Sequence, residues 1–160
     1  MAEALKTTLE TFKDALTASA TLATWCQAIY GRQLTVFVNM DARNPPGEAN
    51  CPYILLRPVA AVYGRGATTK TMQYDLLCVV HDDTEQVNAE IGAEEYSGVQ
   101  AVIDFLDYAV AAIAATDTGN ALLQDIQAEF ETIEFFPFFM AGCPLTLVEP
   151  YPLGATRTTL

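Results

Sequence analysis

Basic side chains are scarce in this sequence. Eight Lys and Arg stand against 20 Asp and Glu, a formal net charge of −12 at pH 7. A protein that tracks nucleic-acid phosphates needs clustered Lys and Arg, so DNA or RNA is not expected as a ligand. A polybasic membrane-surface protein is excluded on the same ground. Charge of either sign is also sparse, at 18% of residues against 51% apolar ones. That balance excludes intrinsic disorder, which requires low hydrophobicity, and hints at a surface covered by other subunits. Long hydrophobic runs are missing too. The longest, Tyr108 to Ala115, falls far short of the ~20 residues of a membrane span, so no membrane partner is expected. The opening MAEALKTTLE has neither a basic n-region nor an apolar h-region, so no secretory signal is expected. No Asn-x-Ser/Thr site occurs and no internal repeat is visible.

The chemistry-bearing motifs are equally thin. Cys26, Cys51, Cys78 and Cys143 are widely separated, with no C-x-x-C pair. That spacing reads as reduced thiols of a cytosolic compartment rather than a zinc site or a disulfide framework. The single histidine, His81, precedes Asp82 and Asp83. Imidazole beside carboxylate can serve metal binding or acid–base work, but the simpler reading is a strand end entering an acidic loop. Gly64 to Thr71 (GRGATTKT) has a superficial likeness to a phosphate loop, but lacks the G-x-x-x-x-G-K-[ST] spacing and precedes a strand pattern. Glu94 and Glu95 are adjacent and therefore point apart, unlike a catalytic dyad. Neither G-x-S-x-G nor H-E-x-x-H occurs. The expectation is a non-enzymatic chain without metal or cofactor.

What is present is patterning for one domain across residues 1–160, a length that suits a single core. Leu5, Leu9, Phe12 and Leu16 form a helical stripe, which Leu22, Trp25, Cys26 and Ile29 resume before Gly31 stops it. Residues 3–30 are expected as one bent helix or two short ones. Leu34–Met40 reads as a strand, Asp41–Asn50 (DARNPPGEAN) as a loop, and Pro52–Val62 with Met72–His81 as a long hairpin. Pro58 cannot donate a ladder hydrogen bond, so it predicts an edge or a bulge. Leu77 and Val79 make the second half of 72–81 apolar on both faces, which predicts a central strand. Residues 82–96 are expected as an acidic loop with one helical turn around Val87 and Ile91. A capping box, Ser97 to Gln100, then opens a helix over 97–115. Alternation over 126–135 flips phase near 131–132, which predicts a strand with a bulge. A last strand is expected over 143–149 and an extended tail over 150–160. The fold class is α+β, a mainly antiparallel sheet of about five strands with the long helix and an N-terminal helical segment (residues 1–31) on one face.

Two features read as interaction surface. FFPFFM, residues 135–140, concentrates four Phe and one Met in six residues, and strand alternation buries only half of them. The loops 41–50 and 63–71 are long enough to be functional. The candidate contact residues are Asp41, Arg43, Asn44 and Glu48 in the first loop and Pro58 on the strand edge. Arg65 and Lys70 near the hairpin tip join them, as do Phe135, Phe136, Phe138, Phe139 and Met140 in the aromatic segment.

The order of elements resembles a known family. YGRQLTVFVN (Tyr30–Asn39) leads through a Pro-rich loop to CPYILLRP (Cys51–Pro58). YDLLCVVHDD (Tyr74–Asp83) and SGVQAVIDFLDYAVAAI (Ser97–Ile113) follow, and IQAEFETIEFF and CPLTLVEPYPLG close the chain. Over about residues 20–150 this layout is similar to the tail terminator, or tail-completion, proteins of long-tailed bacteriophages and related head–tail joining proteins. The resemblance implies a structural virion protein of the tail or neck, assembled in the host cytoplasm. Such proteins form a ring of six that caps the tail tube, stops its polymerisation and meets the head–tail connector or neck protein. DNA passes through the pore without specific binding. The edge around Pro58 and the long-helix face are then the two patches of a heterologous ring interface. The acidity would line a conduit that repels passing phosphates. The rival readings are a small-molecule-binding α+β domain and a hydrolase centred on His81.

Overall fold

The computed structural model describes residues 8–40, 43–63, 69–88, 93–116, 127–131 and 135–150. Ser19 divides the N-terminal stripe into two helices, α1 (Thr8–Ala18) and α2 (Ala20–Tyr30). Its backbone is extended, and its hydroxyl accepts the Leu22 N–H at 3.3 Å, so it caps α2 while ending α1. Gly31 stops α2 as its position predicts. It adopts φ 63°, a left-handed conformation that glycine enters without a Cβ penalty, and its N–H reaches the Gln27 carbonyl at 3.0 Å.

The strands that follow are β1 (Thr35–Val38), β2 (Tyr53–Tyr63), β3 (Thr69–His81), β4 (Glu85–Asn88) and β5 (Ala93–Tyr96). The helix α3 (Ser97–Ala114) comes next, then β6 (Glu129–Glu131) and β7 (Phe138–Pro150). One sheet has the order β1-β2-β3-β7-β6, antiparallel except for β1 beside β2. A mixed α+β fold with a five-stranded, mostly antiparallel sheet is therefore what the chain adopts. The doubly apolar β3 is central, for the reason its patterning gives: both faces are covered by neighbours. Pro58 sits where the β2–β3 register shifts, between Pro58 and Ala60, and just past the stretch of β2 that β1 pairs. Both devices that tolerate proline, a bulge and a free edge, coincide there.

Alternation assigns the two faces. Ile54 and Leu56 of β2, Leu76, Cys78 and Val80 of β3, and Phe139, Ala141, Cys143 and Leu145 of β7 share one buried cluster with the helices. Phe12, Leu16, Leu22, Cys26, Val102, Phe105, Leu106, Ala109 and Ile113 are the helical members. Trp25 stacks on Phe105, ring centroids 5.1 Å apart, and ties α2 to α3. By length and composition α3 could cross a membrane, with a mean hydropathy of 1.3. Its apolar stripe is instead packed into this cluster.

Several expectations need correction. The described part of 82–96 is not a loop: β4 and β5 pair as a separate two-stranded sheet, with Glu85 opposite Tyr96 and Asn88 opposite Ala93, Val87 is in strand rather than a helical turn, and residues 89–92, Ile91 included, lie outside the described residues. Four-residue strands rich in Glu show neither alternation nor β-propensity, so the pattern hid them. The Ser97–Gln100 capping box does not form. Tyr96 is the N-cap, without a side-chain hydrogen bond, and Ser97 donates instead to Asp82 Oδ2 at 2.6 Å. Gln100 turns forward and donates to Asp104 Oδ1 at 2.8 Å. The last strand starts at Phe138 rather than Cys143, so half of FFPFFM is strand. The strand expected over 126–135 is confined to Glu129–Glu131 among the described residues. Residues 132–134, the expected bulge included in part, and the 150–160 tail beyond Pro150 lie outside them.

Phe139 is also corrected. It is not a surface residue but 1% exposed, filling the core beside the start of α3. A Cβ at Gly98 would fall within the van der Waals envelope of the Phe139 ring. Phe139→Ala should therefore cost about 3–5 kcal/mol through the cavity it leaves. Gly98→Ala should cost about 1–3 kcal/mol through overpacking. Phe135→Ser, at a position 50% exposed, should stay within about 0.5 kcal/mol. Urea midpoints of the three variants check the order.

Candidate assembly surface

The seven residues of β2 from Arg57 to Tyr63 are all exposed, in contrast to the four buried residues before them. Val59, Val62 and Tyr63 are each more than half exposed, and so is Val148 of β7. In register, Val62, Thr71 and Val148 form one cross-strand row, and Arg57, Asp75 and Pro144 another. The distal parts of β2, β3 and β7 thus make a three-stranded arm that is bare along β2, while Tyr74, Leu145 and Leu147 keep one face of β3 and β7 buried with the helices. β1 ends its pairing at Leu56, and β6 pairs only Met140 to Gly142. Among the described residues, no strand pairs with the outer side of β2 beyond Leu56 or of β7 beyond Gly142. Such open edges are templates for another chain unless blocked. Arg57 spans the arm's base, with Nε and Nη2 donating to Asp75 Oδ2 at 3.2 and 3.0 Å. The pair is exposed, so it positions the guanidinium more than it stabilises the fold.

The sheet face turned away from the helices is apolar at the proximal end. Cys51, Tyr53 and Val79 are buried there, with Phe37, Leu77, Phe138 and Met140 packed against them. A hollow of about 180 Å³ opens between Leu55, Leu77, Met140 and Gly142, rimmed by Arg57, Asp75 and Glu129. At Gly142 a Cβ would stand 3.0 Å from the Leu76 carbonyl and 3.3 Å from Leu77 Cδ1, so glycine lets this floor close.

The aromatic segment divides. Phe135 and Phe136 are about half exposed, in the turn that precedes β7. Phe136 lies edge-on to Tyr96 and Phe139, with centroids 5.5 and 6.1 Å away. Phe138 meets His81 edge-on at 5.0 Å, and Met140 is half-buried on the helix-free face. Of the loop residues, Arg43, Asn44 and Glu48 are exposed, and Lys70 sits half-buried in β3 opposite Tyr63. Asp41 and Arg65 lie outside the described residues. The arm gathers Pro58 and Lys70. The aromatic turn and the loop at 43–50 are separate features.

Sequence reasoning missed one cluster. Arg32 Nη1 donates to the carbonyls of Glu48 and Cys51 at 3.1 and 3.5 Å, and Glu48 Oε1 lies 3.9 Å from His81 Nδ1. A cleft of about 200 Å³ separates these side chains from Ile29 and Tyr30, whose buried hydroxyl has no hydrogen-bond partner. Burial pushes the Cys51 thiol up to about 11, Arg32 opposing and Glu48 adding to the shift, and Sγ donates to the Gly47 carbonyl at 3.8 Å. A neutral thiol is a poor nucleophile. Partial burial raises the neighbouring Asp82 carboxyl, but hydrogen bonds from Ser97 and Thr84 outweigh it and leave the group below the usual carboxylate range. Among the described residues no three His, Cys, Asp or Glu side chains gather as a metal site. A broader groove of about 790 Å³ beside α2 is lined by Thr17, Thr24, Gln27 and Gln33, without an ionisable group.

No protein-family model matches the chain, and no curated protein matches it. The surface therefore carries the functional reading by its own chemistry.

The thiols give a pH prediction. Cys26, Cys51 and Cys143 are each raised by burial from 9.0 to about 11. The unfolded chain then loses these protons first, so their contribution is complete below pH 9 and falls as pH rises to about 11. Urea midpoints should hold from pH 7 to pH 9 and drop beyond it, less steeply in Cys51→Ala. A midpoint that rises with alkali would contradict the burial assignment.

Proposed function

We propose that this chain is a structural, ring-forming assembly subunit of the tail-terminator type. In this reading about six copies cap a phage tail tube and join it to the head–tail connector, leaving a pore for DNA. The observation that carries the reading is the distal edge of β2, where Arg57–Tyr63 are exposed with Val59 and Val62 outward, beside exposed Val148 of β7, and where no strand pairs with the outer side among the described residues. A monomer gains nothing from such an edge and risks aggregation through it. A subunit that extends its sheet into a neighbour uses it. The layout likeness to tail terminators supports the particular assembly, and the Phe135–Phe136 turn offers an apolar contact for the tube or connector.

The reading requires neither a catalytic residue nor a cofactor, and places the protein in the virion tail or neck. His81 belongs to the Arg32–Glu48 cluster, where its part in the proposed role is to brace the loop. His81→Ala should leave assembly unchanged. Mixing the chain with polymerising tail-tube protein of its own particle tests the proposal. The expected result is a six-fold ring at tube ends by negative-stain imaging, with tubes that stop lengthening. Continued growth with the chain absent from tube ends would refute it.

A further inference from the structure

One row of the sheet crosses its helix-free face with no side chain near its middle. Leu55 of β2 pairs with Leu77 of β3, Leu77 with Gly142 of β7, and Gly142 with Glu129 of β6. Cross-strand partners share a face, so these four residues stand in line on the side away from the helices. Gly142 has nothing to fill its place, and the hollow of about 180 Å³ opens there over Leu55, Leu77 and Met140. The two ends of the row differ. On the β2 side Arg57 and Asp75 hold each other. On the β6 side Glu129 is exposed and has no ion-pair partner among the described residues. The row is a trough, apolar within and open to a cation at its outer end.

One stretch of the chain carries the matching chemistry. Beyond Lys70 the only basic residue is Arg157, in YPLGATRTTL, residues 151–160, which follow β7 outside the described residues. Leu160 comes three residues after Arg157, about 10 Å along an extended chain. Glu129 and Leu77 lie two strands apart, with β7 between them, also about 10 Å. The two spacings agree.

We infer that this trough is the seat for residues 157–160 of a second copy of the chain. Laid extended across the strands, they set Arg157 beside Glu129 and Leu160 over Leu77 at once, with residues 158 and 159 above the bare Gly142. A copy's own segment cannot make both contacts. β7 ends at Pro150, eight residues past Gly142 and about 27 Å along the strand. Residues 151–157 extend at most about 25 Å, before any reversal of direction is made. A neighbour's segment meets no such limit. The inference rests on the proposed ring and specifies one contact within it. Each copy offers one trough and one segment, so the contact is heterologous and joins copies in series. Four residues make a small interface, so single contacts are weak. Ring closure, or a tube end that gathers copies, makes them cooperative.

Full-length variants and their mixture test this without touching the core. Glu129→Lys sets a cation against Arg157, and Arg157→Glu sets a carboxylate against Glu129. Leu160→Asp removes the apolar anchor. Circular dichroism and urea midpoints are read first. If Glu129→Lys loses its fold, Arg157→Glu and Leu160→Asp, both past the end of β7 in sequence, still read the contact. Sedimentation in low salt at high protein concentration then measures association. Wild-type chain should associate, and each single variant alone should lose about tenfold or more in association constant. An equimolar mixture of Glu129→Lys and Arg157→Glu should recover it, because every trough then meets a segment of opposite charge, and native mass should show the two alternating. A monomeric wild type, single variants that associate as wild type does, or a mixture that fails to recover would each overturn the inference. Recovery in the double variant but not in the mixture would overturn it by assigning the segment to its own copy. Rings on tube ends that ignore these substitutions would overturn it while leaving the terminator reading intact. Association that follows the charges, with the chain absent from tube ends, would refute the terminator reading and leave the contact standing.

Discussion

The strands of this fold are longer than the helix that covers them. β3 and β7 have thirteen residues each, an extended reach of about 43 Å, while the eighteen residues of α3 reach about 27 Å. α3 packs with α1 and α2 over Ile54, Leu56, Leu76, Cys78 and Val80, and on β3 and β7 the cover continues to Tyr74, Leu145 and Leu147, with Phe12 of α1 against Tyr74. On β2 the cover ends within one residue, between buried Leu56 and exposed Arg57. Nearly everything distinctive about the surface follows from that change on β2. β3 and β7 keep one face in the core along most of their length, and they hold the exposed part of β2 in place through the ladder it shares with β3. The bulge at Pro58 to Ala60 sits at the changeover and alters the phase of β2 as it leaves the core.

Burial on the second face gives the arm a firm base. A sheet covered by helices on one side usually leaves the other side polar. Here Tyr53, Leu55 and Val79 are buried on the far side as well, beside Phe37, Leu77 and Met140. Gly142 is what allows Leu77 to lie flat in that layer. The hollow it borders is small and apolar-floored, with charge only at its rim. In the His81 cluster burial holds the Cys51 thiol protonated at neutral pH.

The architecture was largely legible in the sequence because its main signals are long-range repeats of one period. The β3 alternation, the doubly apolar Leu77–Val79 stretch, the α3 stripe and Pro58 each predicted a position that the sheet order satisfies. The assembly surface was legible only in part. Pro58 flagged the edge, but tertiary packing decides that the helices follow β3 and β7 to Leu147 and leave β2 at Leu56, and no local motif encodes that. The aromatic segment misled through composition. Phe138 and Phe139 are neighbours in sequence, yet strand alternation sends Phe139 into the core against Gly98 and Phe138 to the opposite face against His81. Ser97 looked like a cap because its neighbour three residues on is Gln. Asp82 offered a stronger, charge-assisted partner at 2.6 Å, and the local motif lost to a contact fifteen residues away. Arg32, Glu48 and His81 come together only because β1 lies parallel to β2, a crossover that spacing does not reveal.

The same acidity has two uses in the proposed ring, and they draw on different residues. Repelling DNA phosphates in a pore needs carboxylates that stay in water and face a lumen. Seating a neighbour needs carboxylates at a sheet edge that meet a cation as two copies join. Glu129 on β6 fits the second role, because it is exposed on the outermost strand of the sheet. Asp107 on the exposed side of α3 fits the first, lying away from both edges. A net charge of −12 with few charges overall is therefore economical rather than excessive. Edge carboxylates lose their repulsion when a neighbour docks, and those remaining in water keep subunits soluble before assembly and phosphates at a distance after it.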